Sequence, residues 1–143
     1  MSEFVECKTK IKDRKALIDA LIAIGFAESE IEIHEEAVHL YGYQGDRREQ
    51  KANVIIRKKN VGGSSNDIGF IKKDDGTYEA IISEFDRRSA GKHAQKYGGY
   101  NERFLKDLSQ NYTERLYTRV AKEKGYEVKK VKKDNKIVLT LYK

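Results

Sequence analysis

Proline is absent from this 143-residue chain, where average usage would place about seven. Its absence fits a compact antiparallel sheet joined by glycine, aspartate and asparagine turns. Cysteine occurs once. A single thiol excludes a disulfide framework and a cysteine-based zinc site, and it fits a reducing compartment. No apolar run approaches the ~18 residues of a membrane helix, so no membrane partner is expected. The features of a signal peptide are also missing. The expectation is one soluble, cytoplasmic domain spanning residues 1–143.

Charge is what the chain has in excess. Asp, Glu, Lys and Arg make up 36% of the residues, against about 25% in an average domain. The net charge of +6 is unevenly spread. Residues 1–42 carry 5 basic and 9 acidic groups, net −4, and residues 43–143 carry 24 and 14, net +10. The positive charge is densest at residues 87–96 and from Arg115 onward.

The apolar residues fall in periodic blocks. Val5, Cys7, Thr9 and Ile11 alternate with Glu6, Lys8 and Lys10, which predicts a half-buried strand with Cys7 as a small apolar side chain. A helix follows, capped by Asp13, carrying Leu17, Leu21 and Ile24 on one stripe and ending at Gly25 with Phe26 folded back. Residues 31–41 are extended, but Ile31 and Ile33 differ in parity from Val38 and Leu40, so a bulge is expected near Glu35-Glu36. Gly42–Glu49 reads as a loop, Ala52–Arg57 as a strand, and Gly62-Gly63-Ser64-Ser65 as a flexible connection. Ile68–Lys72, the Asp75-Gly76 turn and the Tyr78, Ala80, Ile82 face form a hairpin. Asn101 caps a long helix with Phe104, Leu108, Tyr112, Leu116 and Val120 in register, stopped by Gly125. A last hairpin runs from Tyr126 through an Asp134-Asn135 turn to Leu141.

The order β-α-β-β-β-β-α-β-β predicts an α+β two-layer sandwich: a mainly antiparallel sheet with two helices on one face. The lysines from Lys129 to Lys136 would guard an exposed sheet edge against pairing.

One segment lacks periodicity. Asp86–Tyr100 holds Arg87, Arg88, Lys92 and Lys96 with no acid after Asp86, together with Tyr97 and Tyr100, and it reads as an exposed loop. Cations displace counterions from phosphates and tyrosines stack on bases. These six residues, joined by Arg47 and Arg48, are therefore the expected site for an anionic partner such as nucleic acid.

Other motifs fail on their own chemistry. His34 and His39 are five apart, not the four a helical zinc motif needs. Gly91-Lys92 lacks both the upstream glycine and the following Ser or Thr of a phosphate-binding loop. Asp67-Ile68-Gly69-Phe70 lacks the aromatics of an RNA-recognition strand, which leaves Gly69 for close packing and Phe70 for the core. Glu84 and Asp86 would share a strand face, but no nucleophile or base accompanies them. The expectation is a protein without enzymatic activity, metal or cofactor.

Several blocks together resemble a family. They are Met1-Ser2-x-Phe4, Lys8-Thr9-Lys10-Ile11, Leu17-x-x-Ala20-Leu21, Gly42-Tyr43-x-Gly45, Asp67-Ile68-Gly69-Phe70, Tyr78, Phe104-Leu105 and Gly125-Tyr126. In this order they resemble the uncharacterised family named after a hypothetical chloroplast reading frame, number thirty-five (domain of unknown function twelve-fifty-seven). The resemblance implies a cyanobacterial, other bacterial or plastid setting, the last placing the chain in the stroma. It implies no activity. It points to an accessory role beside an AAA-type ATPase, as an adaptor.

Overall fold

A computed structural model describes residues 2–134 and 136–143. Met1 of the opening block and Asn135 of the expected last turn lie outside the described residues. Strands β1 (Phe4–Lys8), β2 (Ile31–Tyr41), β3 (Arg47–Ile56), β4 (Ile68–Lys72) and β5 (Tyr78–Ser83) form an antiparallel sheet in the order β1-β5-β4-β3-β2. Helices α1 (Arg14–Ile24) and α4 (Glu102–Glu123) pack against it, and two short helices, α2 (Lys58–Val61) and α3 (Glu84–Arg88), lie in the connections. Strands β6 (Glu127–Lys133) and β7 (Lys136–Tyr142) form a separate two-stranded sheet. The fold is α+β, as expected. Among the described residues, no helix is long and apolar enough to cross a membrane.

Local chemistry sets the helix ends. The Asp13 carboxylate accepts the Ala16 N–H at 2.9 Å, starting α1. Gly25, with φ +140°, ends it, and Phe26 donates its N–H back to the Leu21 carbonyl while its ring is buried. Asn101 accepts the N–H groups of Arg103 and Phe104 at the start of α4. That helix of 22 residues runs about 33 Å. Leu17 and Leu21 of α1 and Phe104, Leu108 and Tyr112 of α4 close on Val54, Ile56, Ile68, Phe70, Ala80 and Ile82 of the sheet in one core. Cys7 packs against its edge, and burial pushes its thiol pKa up. Less thiolate means less reactivity.

The parity break in residues 31–41 is a bulge. Ile33 faces Val54, yet Val38 faces Ala52, so β2 spends extra residues at His34–Ala37 opposite Asn53. The Asn53 side-chain amide closes the gap by donating to the carbonyls of His34 and Glu35, each at 3.1 Å. Beyond Asn53 the hairpin leaves its ladder with β4 and curls over the far face of the sheet. There Arg48 donates to the Ser2 carbonyl at 2.8 Å and lies 4.9 Å over the Phe4 ring, although β3 and β1 are not neighbours in the sheet.

This curl corrects one expectation. The Gly42–Glu49 loop is only a turn, because β3 already begins at Arg47. The curl also covers the second face of the sheet: Leu40, Ala52, Ile55 and Ile81 are fully buried there, with Phe4, Val38 and Ile71 beside them. Gly69 makes room for this cluster, since a Cβ on it would lie 2.6 Å from the Ala52 Cβ and 2.9 Å from Leu40. The Gly62–Ser65 connection leads from α2 through exposed Gly63 and Ser64 into the buried Ser65, Asn66 and Asp67. The terminal lysines lie on a sheet edge, that of the separate β6-β7 hairpin. With so many lysines β6 has few apolar side chains to bury in a central sheet.

Candidate functional site

The segment from Asp86 to Tyr100 is a packed connection, not an exposed loop. Asp86 sits in α3 and is buried. Its Oδ2 accepts the Asn66 N–H at 2.9 Å, the Asn66 side-chain amide at 3.2 Å and the Ser83 hydroxyl at 2.7 Å. Glu84 and Asp86 therefore share no strand face, because the strand has ended at Ser83, which caps the helix by accepting the Asp86 N–H.

Both tyrosines point into the protein. Tyr100 is 0% exposed. Its hydroxyl donates to the Val61 carbonyl at 3.0 Å and accepts the His93 N–H at 3.2 Å, and burial pushes its pKa up to about 12. Tyr97 is 7% exposed, meets Phe104 edge-on and donates to Asp107. Burial first, and the Asp107 carboxylate second, hold its phenol in the neutral form. Neither ring can stack on a base. Gly91 explains the tight course: a Cβ there would lie 2.5 Å from the Val61 oxygen and 2.7 Å from the Tyr100 ring.

Five of the six expected cations, all but Arg47, meet an acid that lies outside the Asp86–Tyr100 segment. Arg87 bridges Glu84 at 3.3 Å and Glu102 at 3.0 Å, and Arg88 reaches Glu84 at 3.4 Å. Lys92 pairs with Glu30 at 4.0 Å and Lys96 with Asp107 at 3.6 Å. Arg48 lies 3.7 Å from Asp46, an ionic contact too long for a hydrogen bond, and Arg47 is exposed at the start of β3. Arg48 does meet α3 at one corner, where Ser2 takes its guanidinium on the carbonyl and the Phe85 N–H on the hydroxyl. Lys92 and Lys96 lie elsewhere, against Glu30 and α4. With Tyr97 and Tyr100 buried, the eight residues do not form one exposed surface.

A second polar cluster escapes any motif. Asp67 is buried and accepts the N–H groups of Tyr41 and Lys58 and the Arg57 Nη1, all at 2.8 Å. Arg57 turns its other edge to Glu32, Nε at 2.8 Å and Nη2 at 2.9 Å. The hydrogen bond from Arg57 holds the Glu32 carboxyl below its usual pKa, with a further contribution from His34 at 2.9 Å. The cluster pins the curled hairpin to the connection between β3 and β4. His39 is spent on the Arg48 carbonyl at 2.7 Å. Among the described residues, no three His, Cys, Asp or Glu side chains converge as a metal site.

Open surface with unmatched charge lies along α4. One groove of about 590 Å³ runs between α4 and the segment after β1, lined by Lys8, Lys10, Lys12, Tyr112 and Leu116. A second of about 580 Å³ runs between α4 and β7, lined by Lys106, Lys136, Ile137 and Leu139. They share Ser109, Thr113 and Tyr117, so they are the two flanks of one helix face. Tyr117 is 59% exposed at their common ridge. Among the described residues, none of the five lysines forms an ion pair. Glu114, the acid in the second groove, is taken by Lys130 at 2.8 Å. Tyr112 fixes one wall by accepting the N–H groups of Lys12 and Asp13.

A family model described as "Protein of unknown function (DUF1257)" matches residues 25–141. The chain belongs to that family. No curated protein and no solved structure matches it. The DUF1257 match begins at Gly25, so the blocks around Phe4, Lys8–Ile11 and Leu17–Leu21 lie outside it. It does include Asp67, Asn66, Asp86 and Gly91, the residues that hold the connections in place. It also includes Lys106, Tyr117 and Lys136, whereas Lys8, Lys10 and Lys12 precede the match. Sequence reading passed over these three lysines because they belong to the acidic third of the chain. Their alternation with Thr9 and Ile11 was the available signal, since it sends them to one side.

Proposed function

We propose that this member of the DUF1257 family is a non-enzymatic binding domain that holds an anionic polymer, single-stranded nucleic acid, along the α4 face. The observation that carries the reading is the set of five lysines, without acidic partners among the described residues, on both flanks of exposed Tyr117. Lysines spaced along a groove suit a phosphate backbone, and an uncovered aromatic ring suits a splayed base, worth about 1–3 kcal/mol per stacked base. Ile137 and Leu139 add apolar lining for base or sugar. Outside this face Glu32, Asp67, Asp86, His34 and His39 are engaged in structural pairs, which supports a role in binding rather than in chemistry.

The test is fluorescence anisotropy with a labelled single-stranded oligonucleotide across a salt series. Five phosphate contacts give a log–log salt slope near −3.5, at about −0.7 per contact. Replacing Lys8, Lys10 and Lys12 by Glu should remove more than half of that slope, and Tyr117→Ala should weaken binding about 5-fold or more. Arg87→Glu with Arg88→Glu should leave affinity within about two-fold, because both cations already face Glu84. No binding at about 50 mM salt, or an unchanged slope in the triple variant, sinks the reading. An AAA-type ATPase that co-purifies without nucleic acid would replace it with the adaptor role.

A further inference from the structure

We propose that two copies of this chain associate by antiparallel pairing of their β7 strands. The β6–β7 hairpin is a two-stranded sheet, and among the described residues β7 pairs only with β6, so its other edge presents unpaired N–H and C=O groups. Proteins normally blunt such an edge with charge, proline, a bulge or a cover. The two edges of this hairpin differ sharply in that respect. β6 carries Lys129, Lys130, Lys132 and Lys133. β7 carries Lys136 at its start and no further charge through Ile137, Val138, Leu139, Thr140, Leu141 and Tyr142. It has high β-propensity, no proline and an uninterrupted register with β6.

Charge also selects the occupant. In a two-fold pairing of β6 centred on Lys130, lysine faces lysine on the axis, and centred on Val131, Lys130 faces the partner's Lys132 and Lys129 the partner's Lys133. In a two-fold pairing of β7 centred on Leu139, Ile137 faces the partner's Leu141, Val138 faces the partner's Thr140, and Lys136 faces the partner's Tyr142. No like charges meet, and Ile137, Leu139 and Leu141 continue as one apolar stripe across the axis. The same region exposes apolar surface that none of the described residues covers: Val138 is 45%, Leu141 49% and Tyr142 47% exposed. A second copy meets the edge and the surface at once, and an isologous strand pair closes after two chains. Val138 and Thr140 line neither α4 groove, so substitutions at these two positions leave the nucleic-acid face in place, although Ile137 and Leu139 belong both to that face and to the pairing strand.

Light scattering during size-exclusion chromatography tests it. The wild-type chain should elute at twice 16.5 kDa. Val138→Lys with Thr140→Lys sets lysine against lysine twice across the axis and should return a single-chain mass. Val138→Lys with Thr140→Glu sets each lysine against the partner's position 140 glutamate and should restore the double mass. Amide exchange across Ile137–Leu141 in the wild-type chain, slower at high protein concentration than at low, reads the same contact without any variant. A wild-type mass of 16.5 kDa at every concentration overturns the proposal. So does a double mass that survives the two lysines, or exchange at β7 that ignores concentration.

Discussion

The Tyr112 hydroxyl accepts two consecutive backbone N–H groups, from Lys12 at 3.0 Å and Asp13 at 2.9 Å, about a hundred positions earlier in the chain. One side chain of α4 thus sets both the start of α1 and the wall that carries Lys8, Lys10 and Lys12. Tyr112→Phe keeps the ring in the core and strands both donors. It should cost about 1–3 kcal/mol in urea denaturation, and amide exchange at Lys12 and Asp13 should accelerate. Unchanged exchange at those two amides would show that the hydroxyl does not hold the wall.

Gly91 and Gly63 lie in segments that looked equally loose, yet their surroundings are opposite. A methyl group on Gly91 meets the Val61 oxygen and the Tyr100 ring, both well inside contact distance, whereas one on Gly63 meets nothing within 4 Å. Gly91→Ala should therefore destabilise the protein by about 1–3 kcal/mol, as overpacking does. Gly63→Ala should be neutral or stabilising by up to about 1 kcal/mol through loss of unfolded-state freedom. Thermal or urea melting of the pair separates close packing from mere flexibility.

Asp86 is the acceptor around which the buried connection closes. Replacing it with Ala leaves the Asn66 N–H, the Asn66 amide and the Ser83 hydroxyl without their shared partner in a buried setting. Hydrogen bonds to a charged group contribute about 1.5–3 kcal/mol each in mutational series, so Asp86→Ala should cost about 3 kcal/mol or more. A loss below about 1 kcal/mol in equilibrium denaturation would mean that solvent reaches the site and replaces the carboxylate.

Where periodicity carries the information, residue patterns alone locate the elements. Leu17 and Leu21 with the Asp13 and Gly25 caps mark α1, and the parity change between Ile33 and Val38 marks the bulge. The segment from Glu84 to Tyr100 has no period, because single contacts hold it: Asp86 on Asn66, Tyr100 on Val61, and Gly91 where the backbone must come close. Such contacts join positions far apart in sequence. For the same reason the acids that neutralise Lys92 and Lys96, Glu30 and Asp107, were invisible in a window that contained only cations. The α4 face was hidden in the same way, since its two walls come from opposite ends of the chain.

Acid should loosen the curled hairpin through Glu32. Arg57 donates two hydrogen bonds to its carboxylate, and this is the main reason its pKa falls below the ordinary value. A carboxyl whose folded pKa is depressed contributes stability that is fully present above its unfolded pKa, near 4.3, and is lost as pH falls through the lower folded value. Glu32→Gln removes the titration and keeps the shape. The urea midpoint of the wild-type chain should exceed that of the variant at pH 7, and the gap should shrink steadily below about pH 4.3. Asp67 stays on Arg57 in both proteins, so the guanidinium is never left unpaired and the gap isolates Glu32. A gap that stays constant down to about pH 3 would mean that Arg57 does not favour the ionised form of Glu32 in the folded protein.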